Sequence, residues 1–167
     1  AMRSEIPGVE DATRLTYIGG DNTLFTTPDK QRYSARYIMM ADSNVFDIFP
    51  VPILSGNPKV VLAKPWYAMI SRSLAEKIRE GNSLESVIGK TLSVDRKEPM
   101  SMRGVFEDMG ENADIHFDVV VPMSKLWNLA RGGWGYDISY MSIIRFRDPA
   151  KDIKAVEARI PDMLKKY

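Results

Sequence analysis

Only the segment after Asp148 sustains a helical rhythm over several turns. Its apolar residues Ile153, Val156, Ile160, Met163, Leu164 and Tyr167 recur at spacings of three and four, which lines up one buried face of a helix. Everything before it is cut into shorter runs by clusters of glycine, proline, asparagine and aspartate. Several of those runs alternate apolar and polar residues, the period of a half-buried strand. About eight strands and three helices in mixed order, with no regular strand–helix–strand succession, define an α+β fold built on antiparallel hairpins.

The first third reads as β-rich. Thr13–Ile18, Thr23–Thr27 and Tyr33–Met40 are expected strands, the second and third forming a hairpin. Asp42-Ser43-Asn44 supplies short side-chain oxygens ahead of a helix over Val45–Phe49, which Pro50 ends. Ser55-Gly56-Asn57-Pro58 is a breaker. Tyr67–Ile70 reads as a strand. A helix follows from Ser71 or Ser73 to about Glu80, with Ser73 and Glu76 spaced as a capping box and Leu74 and Ile78 as its buried stripe. Lys90–Asp95 and Pro99–Glu107 are the arms of a second hairpin, and period two places Met100, Met102, Gly104 and Phe106 on one face. Ile115–Val121 and Ser139–Phe146 complete the strands. Met39, Met69, Met102 and Met141 fall within strands and read as core. Pro149 suits the first turn of the last helix, and Pro161 is expected to kink or break it.

Composition excludes several classes of function. A chain of 167 residues suits one domain or two small lobes. Hydrophobic residues make up 44% and charged residues 27%, too apolar for a disordered chain. Lys plus Arg is 23 against 22 Asp plus Glu, without the basic excess of a nucleic-acid binder. No apolar run approaches the ~18 residues of a membrane span, and no signal or transit segment is visible. Ala1-Met2 reads as a cloning remnant, so the chain is expected to be a piece of something longer. There is no cysteine and one histidine, His116. That leaves no thiolate nucleophile or disulfide and too few ligands for a His/Cys zinc site. Absence of cysteine fits any redox compartment.

Candidate chemistry is sparse. His116 and Asp118 lie two apart on an expected strand and could serve as a hydrolase dyad. The better reading turns Phe117, Val119 and Val121 inward and leaves the pair on the wet side; no Gly-x-Ser-x-Gly elbow exists. Glu107, Asp108, Glu111, Asp114 and Asp118 form an acidic run, but its glycine is misplaced for a calcium loop and the distal Glu is missing. It reads as a solvated loop. Gly132-Gly133-Trp134-Gly135 lacks the Lys-Ser/Thr of a phosphate loop. From the residues, it is either an exposed partner-binding loop or a turn with Trp134 tucked into the core. No catalytic, cofactor or metal site is named, and a non-catalytic module is expected.

Nine phrases in order carry a resemblance. They are Ile6-Pro7-Gly8-Val9-Glu10; Thr13-Arg14-Leu15; Ala41-Asp42-Ser43-Asn44-Val45-Phe46-Asp47-Ile48-Phe49; Leu54-Ser55-Gly56-Asn57-Pro58; Ile70-Ser71-Arg72-Ser73-Leu74-Ala75; Ile88-Gly89-Lys90-Thr91-Leu92; Arg103-Gly104-Val105-Phe106-Glu107-Asp108; Phe117-Asp118-Val119; and Trp134-Gly135 with Tyr140. Together they resemble the MacB-like periplasmic core domain of ABC transporter permeases, the FtsX-like group.

The resemblance implies a two-lobed α+β fold. Residues 1–60 plus 136–167 would form a discontinuous porter-like mixed lobe, and residues 61–135 an inserted, strand-rich, sabre-like lobe. It implies an inner-membrane protein with this part in the periplasm, on the extracytoplasmic side. That part would be non-catalytic, need no cofactor, transmit conformational change, and contact partner proteins or exported substrate during ATP-driven efflux. The implied partners are a second permease copy or paralogue, a cytoplasmic ABC ATPase reached through transmembrane parts, and a periplasmic adaptor protein. The alternative is a free-standing secreted or periplasmic binding module. Under the permease reading, Trp134 anchors the return between lobes. Both chain ends then lie on one side of the domain, within about 20–25 Å, because each must reach the same membrane surface.

Overall fold

The computed structural model describes residues 6–18, 23–28, 30–94, 98–124 and 141–166. The turn at 19–22 and the glycine–tryptophan stretch around Trp134 lie outside the described residues. Ten strands and four helices follow in order: β1 (Val9–Ile18), β2 (Thr23–Thr26), β3 (Arg32–Ala35), β4 (Ile38–Ala41), α1 (Val45–Ile48), β5 (Ile53–Ser55), α2 (Pro58–Val61), β6 (Tyr67–Ser71), α3 (Arg72–Ile78), β7 (Thr91–Val94), β8 (Glu98–Phe106), β9 (Val119–Pro122), β10 (Met141–Phe146) and α4 (Pro149–Lys166). A 3-10 turn at Leu84–Val87 follows α3. The α+β class stands.

One mixed sheet runs in the order β10-β1-β4-β9-β6-β8-β7-β2-β3, with β5 added on β8. Both expected hairpins form, β2 with β3 and β7 with β8. The last strand pairs with the first, Val9 opposite Phe146 and Leu15 opposite Met141. β4 stands six strand spacings from β3 in that order, about 29 Å on a flat sheet. Yet Ala35 and Ile38 are three residues apart and can be no more than about 11 Å apart. The sheet must therefore curl until β3 comes back beside β4. Phe25, Ala35, Ile38, Ile70, Leu92, Met100 and Val119 accordingly share one core, into which α3 sets Leu74, Ala75 and Ile78.

The back of the central strands carries a second core of Leu15, Met39, Met69, Val120 and Phe117, with the rings of Phe46, Phe106 and Phe117 5.2–5.9 Å apart. A third, smaller cluster joins Ile6 and Val9 to Val156 of α4.

Several expectations are corrected. The run Tyr33–Met40 is two strands, because the N–H groups of Arg36 and Tyr37 donate to the Asp118 carboxylate at 2.8 and 3.2 Å. β8 carries one extra residue: Ala68 pairs with Met102, but Met69 pairs with Gly104. A one-residue bulge reverses the faces beyond it. Met100, Met102 and Val105 therefore enter the curled core while Phe106 enters the other. β9 starts only at Val119, and Phe117 and Val119 serve opposite cores. Buried on both sides, that strand reads as a continuous apolar run instead of an alternating one.

The caps also differ. Ser71, not a Ser73–Glu76 box, caps α3, its hydroxyl accepting from Leu74 N at 3.3 Å. Asn44 makes no cap with its side chain and instead donates to Asp11 and to Ala12 O. The breaker at Ser55–Pro58 starts α2, since Asn57 caps it and Pro58 fits its first turn. Gly56 there sits at φ +80, and a Cβ on it would lie 2.3 Å from Arg103 O. α4 runs through Pro161 without a break. Val156 is buried, but Ile153 and Met141 are exposed.

Candidate functional site

The residues singled out for chemistry are held in structural roles. Asp118 ties three segments together. Its carboxylate accepts from Arg36 and Tyr37, its N–H donates to Tyr37 O at 2.8 Å, and its carbonyl accepts from Ser71 N at 2.7 Å. A carboxylate engaged by two backbone N–H groups is an acceptor in use, not an orienter waiting for an imidazole. The His116 ring instead stacks on Tyr37, centroids 5.9 Å apart and planes at 29°. The Arg36 guanidinium lies 5.2 Å from the Tyr37 centroid, and Tyr17 adds a tilted ring at 6.1 Å. This is an aromatic rim across the ends of β1, β4 and β9.

The acidic run is partly spent on α3. Glu107 pairs with Arg72 at 2.9 Å, and Asp108 accepts from both Ser73 N and Ser73 Oγ. Negative charge beside the first turn of a helix is the stabilising arrangement. The carboxyl of Glu85, in the 3-10 turn, is held below its ordinary range by its own backbone N–H first and by Ser83 second.

Composition gave no hint of the polar pair at the far ends of β4 and β9. Arg14 grips Asp42 with Nε at 2.9 Å and Nη2 at 2.8 Å, while Arg14 N donates to the same carboxylate at 3.0 Å. These two residues line a cavity of about 190 Å³ with Ala41, Leu62 and Met123. That volume is below the roughly 300 Å³ at which small-molecule pockets begin, and the charges already neutralise one another. Reading Asp42 as a helix cap hid its partner, which is 28 residues away. Exposed apolar side chains gather in the segment around α2, where Leu54, Val60 and Trp66 all face solvent.

The fold is a curled mixed sheet backed by helices, and the charged groups described above hold its segments together. The chain belongs to the MacB-like periplasmic core domain family, whose profile matches residues 1–163. Such domains are extracytoplasmic parts of inner-membrane ABC transporter permeases, which work with ATPase and permease partners, and the family is generally non-catalytic.

Three solved structures share the fold. A domain of a protein taken to be a permease, from Porphyromonas gingivalis, is 27% identical with a TM-score of 0.81, over 99% of this chain and 67% of that one. The periplasmic region of MacB from Actinobacillus actinomycetemcomitans is 17% identical at a TM-score of 0.69, over 98% and 69%. The extracellular domain of the noncanonic ABC-type transporter YknZ from Gram-positive bacteria is 13% identical at 0.66, over 97% and 80%. No curated protein matches. Among the described residues, no helix is long and apolar enough to cross a membrane.

Proposed function

We propose that this domain is a non-catalytic mechanical element of its permease. It carries conformational change between the membrane part and partners or exported substrate during ATP-driven efflux, and a periplasmic adaptor is among those partners. The observation that carries this reading is how the two arms of the chain are bound together. Ile6 and Val9 pack with Val156 and Ile160, and Arg147 N donates to Gly8 O at 3.1 Å. Gly8, at φ +90, lies so close to Asp152 that a Cβ would meet its carboxyl carbon at 2.6 Å. A displacement entering through either arm therefore reaches the β1–β10 pair as one movement. Two lobes, residues 1–60 plus 136–167 and residues 61–135, are the units proposed to move, and three strand pairings join them: β2 with β7, β4 with β9 and β5 with β8.

The test uses the full-length permease with its ATPase in a membrane. Spin labels at Lys77 and Lys154, both exposed and one in each lobe, should report a distance that changes on ATP binding. A distance that stays fixed through the ATPase cycle would overturn the mechanical reading. A hydrolytic activity that co-purifies and falls with His116→Ala would overturn the non-catalytic one.

A further inference from the structure

The outer face of the curled sheet carries a cavity distinct from the one beside Arg14 and Asp42. Phe25, Leu92 and Met100 turn into the core, so period two turns Thr26, Thr91, Ser93 and Pro99 outward. The register lines up four strands. Arg32 of β3 is opposite Thr26 of β2, Thr26 is opposite Ser93 of β7, and Ser93 is opposite Pro99 of β8. At about 4.8 Å between strands, that row is about 14 Å long. Thr26, Thr27, Pro28, Thr91, Ser93 and Pro99 line a cavity of about 310 Å³ over it. Ligand sites begin at roughly 300 Å³.

Serine and threonine are ordinary residues on a wet strand face. What sets this face apart is its unused hydroxyls and its charge. Thr27 Oγ1 is spent within its own turn, donating to Gln31 O at 3.2 Å and accepting from Gln31 N at 3.0 Å. The hydroxyls of Thr26, Thr91 and Ser93 make no hydrogen bond among the described residues. Arg32 is exposed, and as the cross-strand partner of Thr26 its Cβ lies about 5 Å from that residue's. Lys30, also exposed, donates its N–H to Thr27 O at 2.9 Å, which places it beside the cavity. Elsewhere Lys59, Arg72 and Arg145 are each met by a carboxylate. Among the described residues no carboxylate pairs with Lys30 or Arg32, and none lines the cavity.

We propose that this face binds an acidic oligosaccharide. A hydroxyl both donates and accepts, so Thr26, Thr91 and Ser93 match the ring hydroxyls of a sugar. Pro28 and Pro99 offer short apolar patches to its C–H faces. Lys30 and Arg32 meet its acidic groups, and hydrogen bonds to charged partners are roughly twice as strong as neutral ones. The cations therefore supply most of the affinity, and the hydroxyls select the polyol. A neutral sugar leaves the two cations without partners. An acidic peptide satisfies the cations but leaves the three hydroxyls unmatched. The site goes beyond the mechanical reading and does not depend on it.

Titration of the 167-residue chain with tetragalacturonate at low salt, followed by NMR, tests it. Saturable binding is expected, with amide shifts at Thr26, Thr91 and Ser93. Maltotetraose, which lacks the charge, and tetraglutamate, which lacks the rings, should each bind at least about tenfold more weakly. Arg32→Glu and Lys30→Glu, both at exposed positions, should each weaken binding at least about tenfold. Thr91→Val keeps a strand former on the face and removes one hydroxyl, and should weaken it about two- to tenfold. None of the three changes a core side chain, so the melting temperature should hold. No saturation at millimolar tetragalacturonate, tetraglutamate binding as tightly as the sugar, shifts confined to other faces, or variants that bind like the wild type each overturn the proposal. None of these results touches the mechanical reading, which fails only on its own ATP-dependent distance.

Discussion

The curled part of the sheet and the β1–β10–α4 flank solve the same problem with unequal means. Around α3, seven strands wrap one core, and Ile70, Ala75, Ile78 and Val105 are fully shielded. On the flank, one helix is held by a cluster whose buried members, among the described residues, are Ile6, Val9 and Val156. The flank makes up the difference with polar ties: Gly8 to Arg147, Asp152 to the N–H of Asp148 at 3.0 Å, and Glu10 to Arg145. Half-exposed ion pairs contribute at most about 1 kcal/mol each. A region that shares little apolar area with its neighbours is one that opens locally before the whole domain unfolds. The relay of movement proposed above would draw on that asymmetry, a stiff body and a flank through which displacement enters.

Three measurements break or sharpen this contrast. The largest effect is expected from Ile78→Ala, which removes a fully buried side chain of α3 and should cost about 2–5 kcal/mol in denaturant unfolding. Val156→Ala, the same kind of change on the flank, removes the equivalent of two methylenes, about 1.5 kcal/mol. Its effect should appear mainly as faster amide exchange in α4. Equal losses from the two would erase the contrast.

Next comes the strand break inside the curled part. Asp118→Ala leaves the N–H groups of Arg36 and Tyr37 without their acceptor and should cost about 1–3 kcal/mol, since each orphaned donor bears a desolvation penalty. Asp118→Asn, which keeps one acceptor oxygen, should cost less. If both variants melt with the wild type, the β3–β4 break does not depend on Asp118.

The smallest effect is at Glu85. Its carboxyl is depressed in the folded chain, so whatever it adds to stability is present above the ordinary carboxylate range and fades as pH falls through the lowered value. Ser83→Ala should move its NMR titration midpoint upward, and only part of the way, because the backbone N–H remains. An unmoved midpoint would show that Ser83 contributes nothing there.

Local chemistry was legible wherever it acts within a few residues. The hairpin expected from Thr23–Thr27 and Tyr33–Met40 forms between Thr23–Thr26 and Arg32–Ala35, because its turn residues and alternation lie side by side. Leu74 and Ile78 marked the buried stripe of α3, and the phrases from Ile6 to Tyr140 indicated the family. Other features depended on partners far along the chain. Near Met102 only Gly104, a glycine inside a strand, hints at the bulge that sends Phe106 to the opposite core. It exists because β6 and β5 both demand register with β8. Nothing near Asp42 or Asp118 names Arg14, 28 residues away, or Arg36, 82 residues away. Short polar side chains look alike in sequence whether they cap a helix, pair with a guanidinium or hold a strand break. Turn preference and hydrophobic period are properties of neighbouring residues, so the sequence by itself determined the two hairpins, the helices after Ser71 and Asp148, and the family. Register, curl and the partners of each carboxylate are set when distant segments compete for the same backbone groups, and only the tertiary structure decided those.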